Sequence, residues 1–303
     1  MALIVGIGAN VYDTLITLKS YPSEDTKTRC AGVQRSGGGP VATGLVAAAK
    51  LGAACAYLGD FADDEGGAFL KADFARFGVS TAYSRTLPGY TSFSSVIWLA
   101  SDKATRTVVF DKGDLPGTAL DEKRKTAIAE AELLMVDGND LDAAVEAAKI
   151  AKENRTKVLY DAGGLYDGVE RLLPFADYLI PSEEFALGFT GEKTADAAAK
   201  KLFAEYSPEV VVITQGKRGG IVFDGKTVRT YPALPATVVD SNGAGDVFHG
   251  AFAFAVTRAY DPYRACVFAS ATSARKCEKI GARDGAPDFA AVQSFLKENG
   301  YEL

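Results

Sequence analysis

Apolar residues along the chain fall into two alternating rhythms. Short uninterrupted runs at residues 3–8, 54–59, 133–137, 157–161, 178–181 and 210–214 have the length and apolar content of strands buried on both faces. Between them, residues 41–51, 65–77, 140–154, 195–206 and 244–260 carry apolar positions at helical spacing. Strands this apolar, separated by helices, predict a mostly parallel sheet with helices on both sides. Ligands then bind beyond the carboxyl ends of the strands.

Two segments, 11–36 and 91–112, break that rhythm. In the second, Ser92 to Trp98 and Arg106 to Phe110 read as a β-hairpin around a polar turn. Together they predict a small β-sheet projecting over the site as a lid that excludes water when it closes. Its unpaired edges suit a second copy of the chain, hence a homodimer through the lid. Residues 220–224 and 228–231 predict another hairpin around Gly225-Lys226. The chain, residues 1–303, reads as one domain: lid at about 11–36 and 91–112, core in the remainder.

With 303 residues, 48% of them hydrophobic, such a chain buries a large core. The net charge of −6 and the lack of a long basic run argue against nucleic acid or an anionic membrane as partner. The first apolar run is too short for a signal or spanning segment, and Cys30, Cys55, Cys266 and Cys277 lack metal-type spacing. A cytoplasmic protein with reduced thiols is the expectation.

Chemistry concentrates at Asp240-Ser-Asn-Gly-Ala-Gly-Asp-Val-Phe-His-Gly-Ala-Phe252. A glycine-rich turn running into an apolar helix leaves backbone N–H groups free at the helix start, where anions bind. Asp246 stands in that first turn, beside donors suited to a phosphate, placed to take a proton from an attacking hydroxyl. Taken alone, the same pentapeptide is also an ordinary loop and cap.

Other strings carry less. Residues 220–227 match the phosphate-loop pattern G-x-x-x-x-G-K-[ST], but the stretch is strand-like and no helix follows, so that reading is rejected. Gly6 and Gly8 lack the third glycine of a dinucleotide fingerprint, since Val11 stands there. Ser36-Gly-Gly-Gly-Pro40 is either a flexible connection or a hinge that lets a substrate touch the backbone. Thr214 to Gly219 lies at a strand's carboxyl end, open to a nucleotide or simply a turn. His249, the only histidine, reads as a packed core residue, and Asp63-Asp64-Glu65 as a solvated helix start.

Taken together, the Gly-Gly stretch near residue 38, Thr-x-Gly-x-x-Gly from 214 and Gly-Ala-Gly-Asp from 243 resemble the PfkB, ribokinase-like, family of carbohydrate kinases. The resemblance spans essentially the whole chain. Residues 36–43 and 245–251 are most similar to its sulfofructose kinase and ketohexokinase branch. It implies a ribokinase-like three-layer α/β/α fold with a β-sheet lid, and an enzyme that moves the γ-phosphate of ATP to a sugar hydroxyl, with Mg2+.

By the same resemblance Asp246 matches the catalytic base and the amides of Gly243, Ala244 and Gly245 the anion hole. Asp13 matches an acceptor for sugar hydroxyls, and Gly38 and Gly39 the sugar-contacting hinge. Thr214, Gly216 and Gly219 match nucleotide-binding positions. Asp240, with carbonyls near 281–285, falls where many members hold a monovalent cation, K+. Thr43 replaces a sugar-contacting Asn, and Pro181-Ser-Glu-Glu-Phe185 replaces the magnesium motif, leaving Glu183 or Glu184 as the nearby carboxylate. The lid and residues 137–140 lack the cations a sulfonate needs, which favours a ketose such as fructose over sulfofructose. Two other functions remain: a nucleoside kinase, with Phe93, Trp98 or Phe110 stacking on a base, and a silent sugar or nucleotide sensor.

Overall fold

The computed structural model describes residues 3–102 and 105–302. In chain order the first half comprises β1 (Leu3–Ile7), β2 (Val11–Leu18), β3 (Gly32–Gly38), α1 (Pro40–Leu51), β4 (Ala54–Tyr57), β5 (Phe61–Ala62), α2 (Glu65–Arg76), β6 (Val79–Ser80), β7 (Thr86–Leu87), β8 (Ser94–Ala100) and β9 (Thr105–Asp111). The second comprises α3 (Glu122–Glu130), β10 (Leu133–Val136), α4 (Leu141–Asn154), β11 (Lys157–Ala162), β12 (Tyr178–Pro181), α5 (Glu183–Thr190), α6 (Ala195–Tyr206), β13 (Val210–Thr214), β14 (Gly220–Phe223), β15 (Val228–Tyr231), α7 (Ala244–Thr257), α8 (Pro262–Cys277), α9 (Ala282–Gly285) and α10 (Phe289–Glu298).

Nine strands form one sheet in the order β15-β14-β13-β12-β11-β10-β1-β4-β6, parallel except for the antiparallel pairs at β14. Alternation along each strand divides its side chains between two cores. Ile4, Leu133, Met135 and Val212 point toward α1, α7, α8 and α10, whereas Val5, Leu134, Val136 and Val211 point toward α3, α4 and α6. That is the expected three-layer α/β/α fold, and the apolar runs were apolar because each strand is covered twice.

A second sheet, in the order β3-β2-β8-β9, comes from the two segments that broke the pattern. β2 pairs parallel to β8, and β8 returns antiparallel as β9; the predicted turn between them falls partly on residues outside those described. The residues of the rejected phosphate loop form β14 and the turn that leads into β15, with Asp224 Oδ1 accepting from the Lys226 and Thr227 amides. Among the described residues no helix is long and apolar enough to cross a membrane.

Helices α1 and α7 touch backbone to backbone. A methyl group on Gly250 would collide with the Gly44 carbonyl, so glycine at 250 is what permits the contact. Each of these helices begins at the carboxyl-end rim of the sheet, where the two sheets meet.

Candidate active site

Gly243 caps α7 with a φ of 73°, a left-handed conformation that glycine adopts without strain. The turn is held from outside: Asp240 Oδ1 accepts from the Asn242 amide at 2.8 Å, and Ser273 Oγ donates to the Ala244 carbonyl at 2.8 Å. Of the three amides assigned by resemblance, that of Ala244 donates to the Ser241 carbonyl at 3.3 Å. Those of Gly243 and Gly245, and that of Asp246, have no protein acceptor among the described residues. Of the expected three, the Gly243 and Gly245 amides are thus open and the Ala244 amide is engaged in closing the turn, while the Asp246 amide, not expected, is open as well.

The Asp246 carboxylate accepts no hydrogen bond from the described protein and is only partly covered. Burial in the cleft raises its pKa, opposed by His249 and then by Arg106, Lys276 and Arg283. His249 is buried as expected, yet it is more than packing. Its Nδ1 lies 2.7 Å from the Gly245 carbonyl and 3.1 Å from Asp161 Oδ2, and Nε2 lies 3.0 Å from the Ile180 carbonyl. It ties the first turn of α7 to β11 and β12. Burial raises the pKa of Asp161, with His249 opposing.

A cavity of about 480 Å³ opens beside this turn. Thr214, Gly216 and Gly219 line it together with Ser241, Ala244 and Gly245, so the sequence-predicted nucleotide segment and the helix start share one space. Glu183 stands at the start of α5, near that segment. Its Oε1 accepts from Gln215 Nε2 at 2.7 Å and its Oε2 from Arg218. Both Glu183 oxygens are thus engaged by side chains of the 214–219 segment. Among the described residues no cluster of three or more His, Cys, Asp or Glu could hold a metal.

On the other side of Asp246 lies the floor of the second sheet. Register places Ser36, Asp13, Ser95 and Phe110 in one row across its four strands. Asp13 is 4% exposed, and its Oδ1 accepts from Ser95 Oγ at 2.6 Å. A side chain on Gly38 would strike its Oδ2, which explains the glycine there. Burial pushes the Asp13 pKa to about 6, with Ser95 and Arg283 opposing and the charges of Asp246 and Asp240 adding to the rise.

Gly39, with a φ of 91°, leads into α1, and Thr43 lies on that helix fully buried with its hydroxyl unpartnered. Asp137 pins the rim: it accepts from the amides of Ala9 at 3.0 Å, Val41 at 3.2 Å and Asn139 at 2.9 Å. A second cavity of about 320 Å³ opens near this rim, lined among others by Asn10, Phe93, Lys112 and Asn139.

Four residues escaped the sequence reading. Arg106, on β9, donates to Ser241 Oγ at 3.2 Å, bringing a cation of the second sheet to the turn before α7. Arg283 is fully buried and donates to Asp73 Oδ2 at 2.9 Å, Asn10 Oδ1 at 2.6 Å and the Gly38 carbonyl at 2.6 Å. Lys276 is fully buried with its ammonium 2.7 Å from the Asp240 carbonyl. Ser95 orients Asp13. Basic residues read from sequence as solvated, and only the placement of a distant carboxylate or carbonyl reveals otherwise. Asp64 likewise does more than expected: besides capping α2 through Gly67, it accepts from the Ser92 amide at 2.8 Å and from Ser92 Oγ at 2.6 Å, tethering the second sheet to the core.

Trp98 does not face the site. It sits three residues from Ser95 on the same strand, hence on the opposite face of the sheet from Asp13. Phe93 lines the second cavity, and Phe110, more than half exposed, packs on it with ring centroids 5.7 Å apart.

A mostly parallel sheet covered by helices on both faces, with open helix-start amides at its carboxyl-end rim, places the chain in the three-layer α/β class. A model of the pfkB family of carbohydrate kinases matches residues 1–288, and the chain belongs to that family. Among curated relatives it is 38% identical over 154 residues to a ribokinase of Lactococcus lactis, covering 50% of this chain and 49% of that protein. The chain thus spans about half the length of that relative in the match. It is 28% identical to a ribokinase of Haemophilus influenzae over 86% of this chain and 87% of that protein. Among solved structures, Arabidopsis thaliana ribokinase complexed with ribose and ATP superposes with a TM-score of 0.85 at 23% identity, covering 98% of both chains. A Burkholderia thailandensis nucleoside kinase in complex with inosine gives 0.80 at 22% identity over 99% of both chains. At these identities both structures speak for the fold.

Proposed function

We propose that the chain is an ATP-dependent kinase acting on a hydroxyl of a small sugar. What carries the reading is the Asp246 carboxylate, without a protein partner, beside the open amides of Gly245 and Asp246 at the mouth of the cavity lined by Thr214 to Gly219. ATP lies along that cavity with its terminal phosphoryl group at the start of α7. The sugar lies toward the second sheet, its hydroxyls donating to Asp13, with Gly38, Gly39 and Thr43 forming its bed. Gly243 supplies the turn that aims the amides.

The acceptor oxygen forms a bond to the γ-phosphorus as the bond from that phosphorus to the β,γ-bridging oxygen breaks. The proton of the acceptor hydroxyl passes to Asp246, and ADP leaves. Because such transition states are loose, holding the reactants in line and stabilising charge matter more than early deprotonation. The amides at the helix start and the Arg106 guanidinium meet that charge. Magnesium, which the family implies, would come with the nucleotide, since both Glu183 oxygens are already engaged by Gln215 and Arg218.

The second sheet acts as the lid, with Asp64 and the Ser36–Pro40 stretch as its attachments. Its outward face exposes Val33, Val96, Trp98 and Val109, an apolar surface suited to a second copy of the chain. Trp98 therefore serves contact between copies rather than stacking on a base. Phe93 at the second cavity, with Phe110 packed on it, favours a second reading, a nucleoside as acceptor.

A coupled ADP-release assay over ribose, fructose, other ketoses, sugar acids, sugar phosphates, adenosine and cytidine tests this. Sugar-dependent ADP release is expected, and Asp246→Asn should lower turnover about 10²- to 10⁴-fold. Preference for nucleosides would favour the second reading, and saturable binding without ADP release would leave a sensor. Near-normal turnover in the Asn variant would remove Asp246 from the mechanism.

A further inference from the structure

The family expectation places a monovalent cation against Asp240. Such a site needs the Asp240 carboxylate to be open to an ion, with carbonyls from the stretch 281–285 around it. Here both carboxylate oxygens are already served. Asp240 Oδ1 accepts from the Asn242 amide at 2.8 Å, and Oδ2 from the Gly281 amide at 2.9 Å. The Asp240 carbonyl accepts from Lys276 Nζ at 2.7 Å, and the same ammonium stands 3.6 Å from Oδ2. Lys276 and Asp240 are 0% and 3% exposed.

We propose that the Lys276 ammonium is a built-in replacement for the monovalent cation, so that the anion-binding turn needs no ion from solution. An ammonium is a compact charge of one unit with three donors, close in size to a potassium ion, and it is anchored here at the end of α8. It donates to the Asp240 carbonyl and sets its charge 3.6 Å from the carboxylate on which the ion is expected. It thereby clamps residue 240, at the head of the turn, to the loop at 276–285.

The positive charge also acts on Asp246, at the other end of the turn. Burial of a lysine among apolar helices is costly unless its charge is matched, and Asp240 matches it. A tethered cation is present in every molecule, whatever the salt. The side chain packs on the loop as well: a methyl group added at Gly285 would come within 3.3 Å of Lys276 Cε and 3.0 Å of the Lys276 carbonyl, so Lys276 lies against the stretch where the expected carbonyl ligands stand.

Thermal unfolding of the substrate-free protein tests this without relying on the kinase reading. Melts are recorded in potassium chloride and in choline chloride at equal ionic strength, for the wild type, Lys276→Ala and Lys276→Met. The wild type and Lys276→Met should melt at the same temperature in both salts. Lys276→Ala, which vacates the space, should show a saturable rise in potassium of about 4 °C, the shift for an ion at about a hundred times its dissociation constant.

As a second readout, thallium(I) NMR should detect no bound ion on the wild type and one on Lys276→Ala. If Lys276→Ala does not fold, the wild-type spectrum decides by itself. A potassium-specific rise in the wild-type melting temperature, or a thallium ion bound to the wild type, would overturn the proposal. A folded Lys276→Ala variant that ignores potassium would overturn it too.

Discussion

Gly245 offers a substitution in which stability and activity should move in opposite directions. It is the second residue of α7, its backbone is not left-handed, and a methyl group built on it meets no atom within 4 Å. Alanine in a helix is favoured over glycine by about 0.5–1 kcal/mol, the lower figure being apt for a first turn. Spread over an unfolding entropy of roughly 2 cal/mol/K per residue, that corresponds to a rise in melting temperature of about 1 °C.

The empty space into which the methyl points is the cavity lined by Thr214, Gly216 and Gly219. A group reaching about 1.5 Å from Cα displaces a phosphoryl oxygen lodged on the amides, and misplacement by about 1 Å costs on the order of 10²-fold in rate. Steady-state kcat/KM for ATP at saturating sugar, with differential scanning fluorimetry on the same preparation, measures both. Unchanged kcat/KM alongside a higher melting temperature would refute the location of the phosphoryl group. A melting temperature several degrees lower would refute the open space.

Two further outcomes follow from the sugar side. The pKa of Asp13 is raised to about 6 from an ordinary value of 3.8, so its contribution to stability is present below about pH 4 and lost as pH rises through about 6. Asp13→Asn should therefore melt above the wild type at pH 8, by an amount bounded at about 3 kcal/mol, with the gap closing toward pH 4; an equal gap at both pH values would contradict the burial argument. In the wild type, KM for sugar should rise as pH falls through about 6, since protonated Asp13 no longer accepts from two hydroxyls; a flat profile from pH 5 to 8 would count against its role. If the outward face of the second sheet joins two copies, Trp98→Glu should shift sedimentation from dimer to monomer, and a wild type already monomeric at micromolar concentration would dismiss that pairing.

The large sheet was legible because its strands are buried on both faces and so lack polar positions: residues 178–181 and 210–214 coincide with β12 and β13. The same cause hid α8. Its small and polar residues, such as Ser270, Thr272 and Lys276, are buried instead of forming a polar stripe, and no helical period emerges. Helix α3 is short and largely polar, and it also went unread. The hairpin of β8 and β9 was visible from local alternation, but its parallel union with β2, which sets Asp13 beside Ser95, joins segments 82 residues apart.

At the site, the glycines and Asp246 were legible because their spacing encodes local backbone shape. Asp240 was noticed for an ion and Glu183 for magnesium, yet their partners, Lys276 and Arg218, lie far along the chain. Local pattern announces which residue is chemical. It says little about which distant charge has already claimed it.

The contact of Gly44 with Gly250 has a mechanical consequence. Helix α1 begins beside the proposed sugar bed and α7 begins at the proposed phosphate seat, and where the two cross no side chain stands between their backbones. Neither helix has slack to slide past the other, so donor and acceptor floors are built as one stiff bracket. Any shortening of the gap between sugar and nucleotide has to come from above, through movement of the four-stranded sheet that carries Asp13 and Arg106.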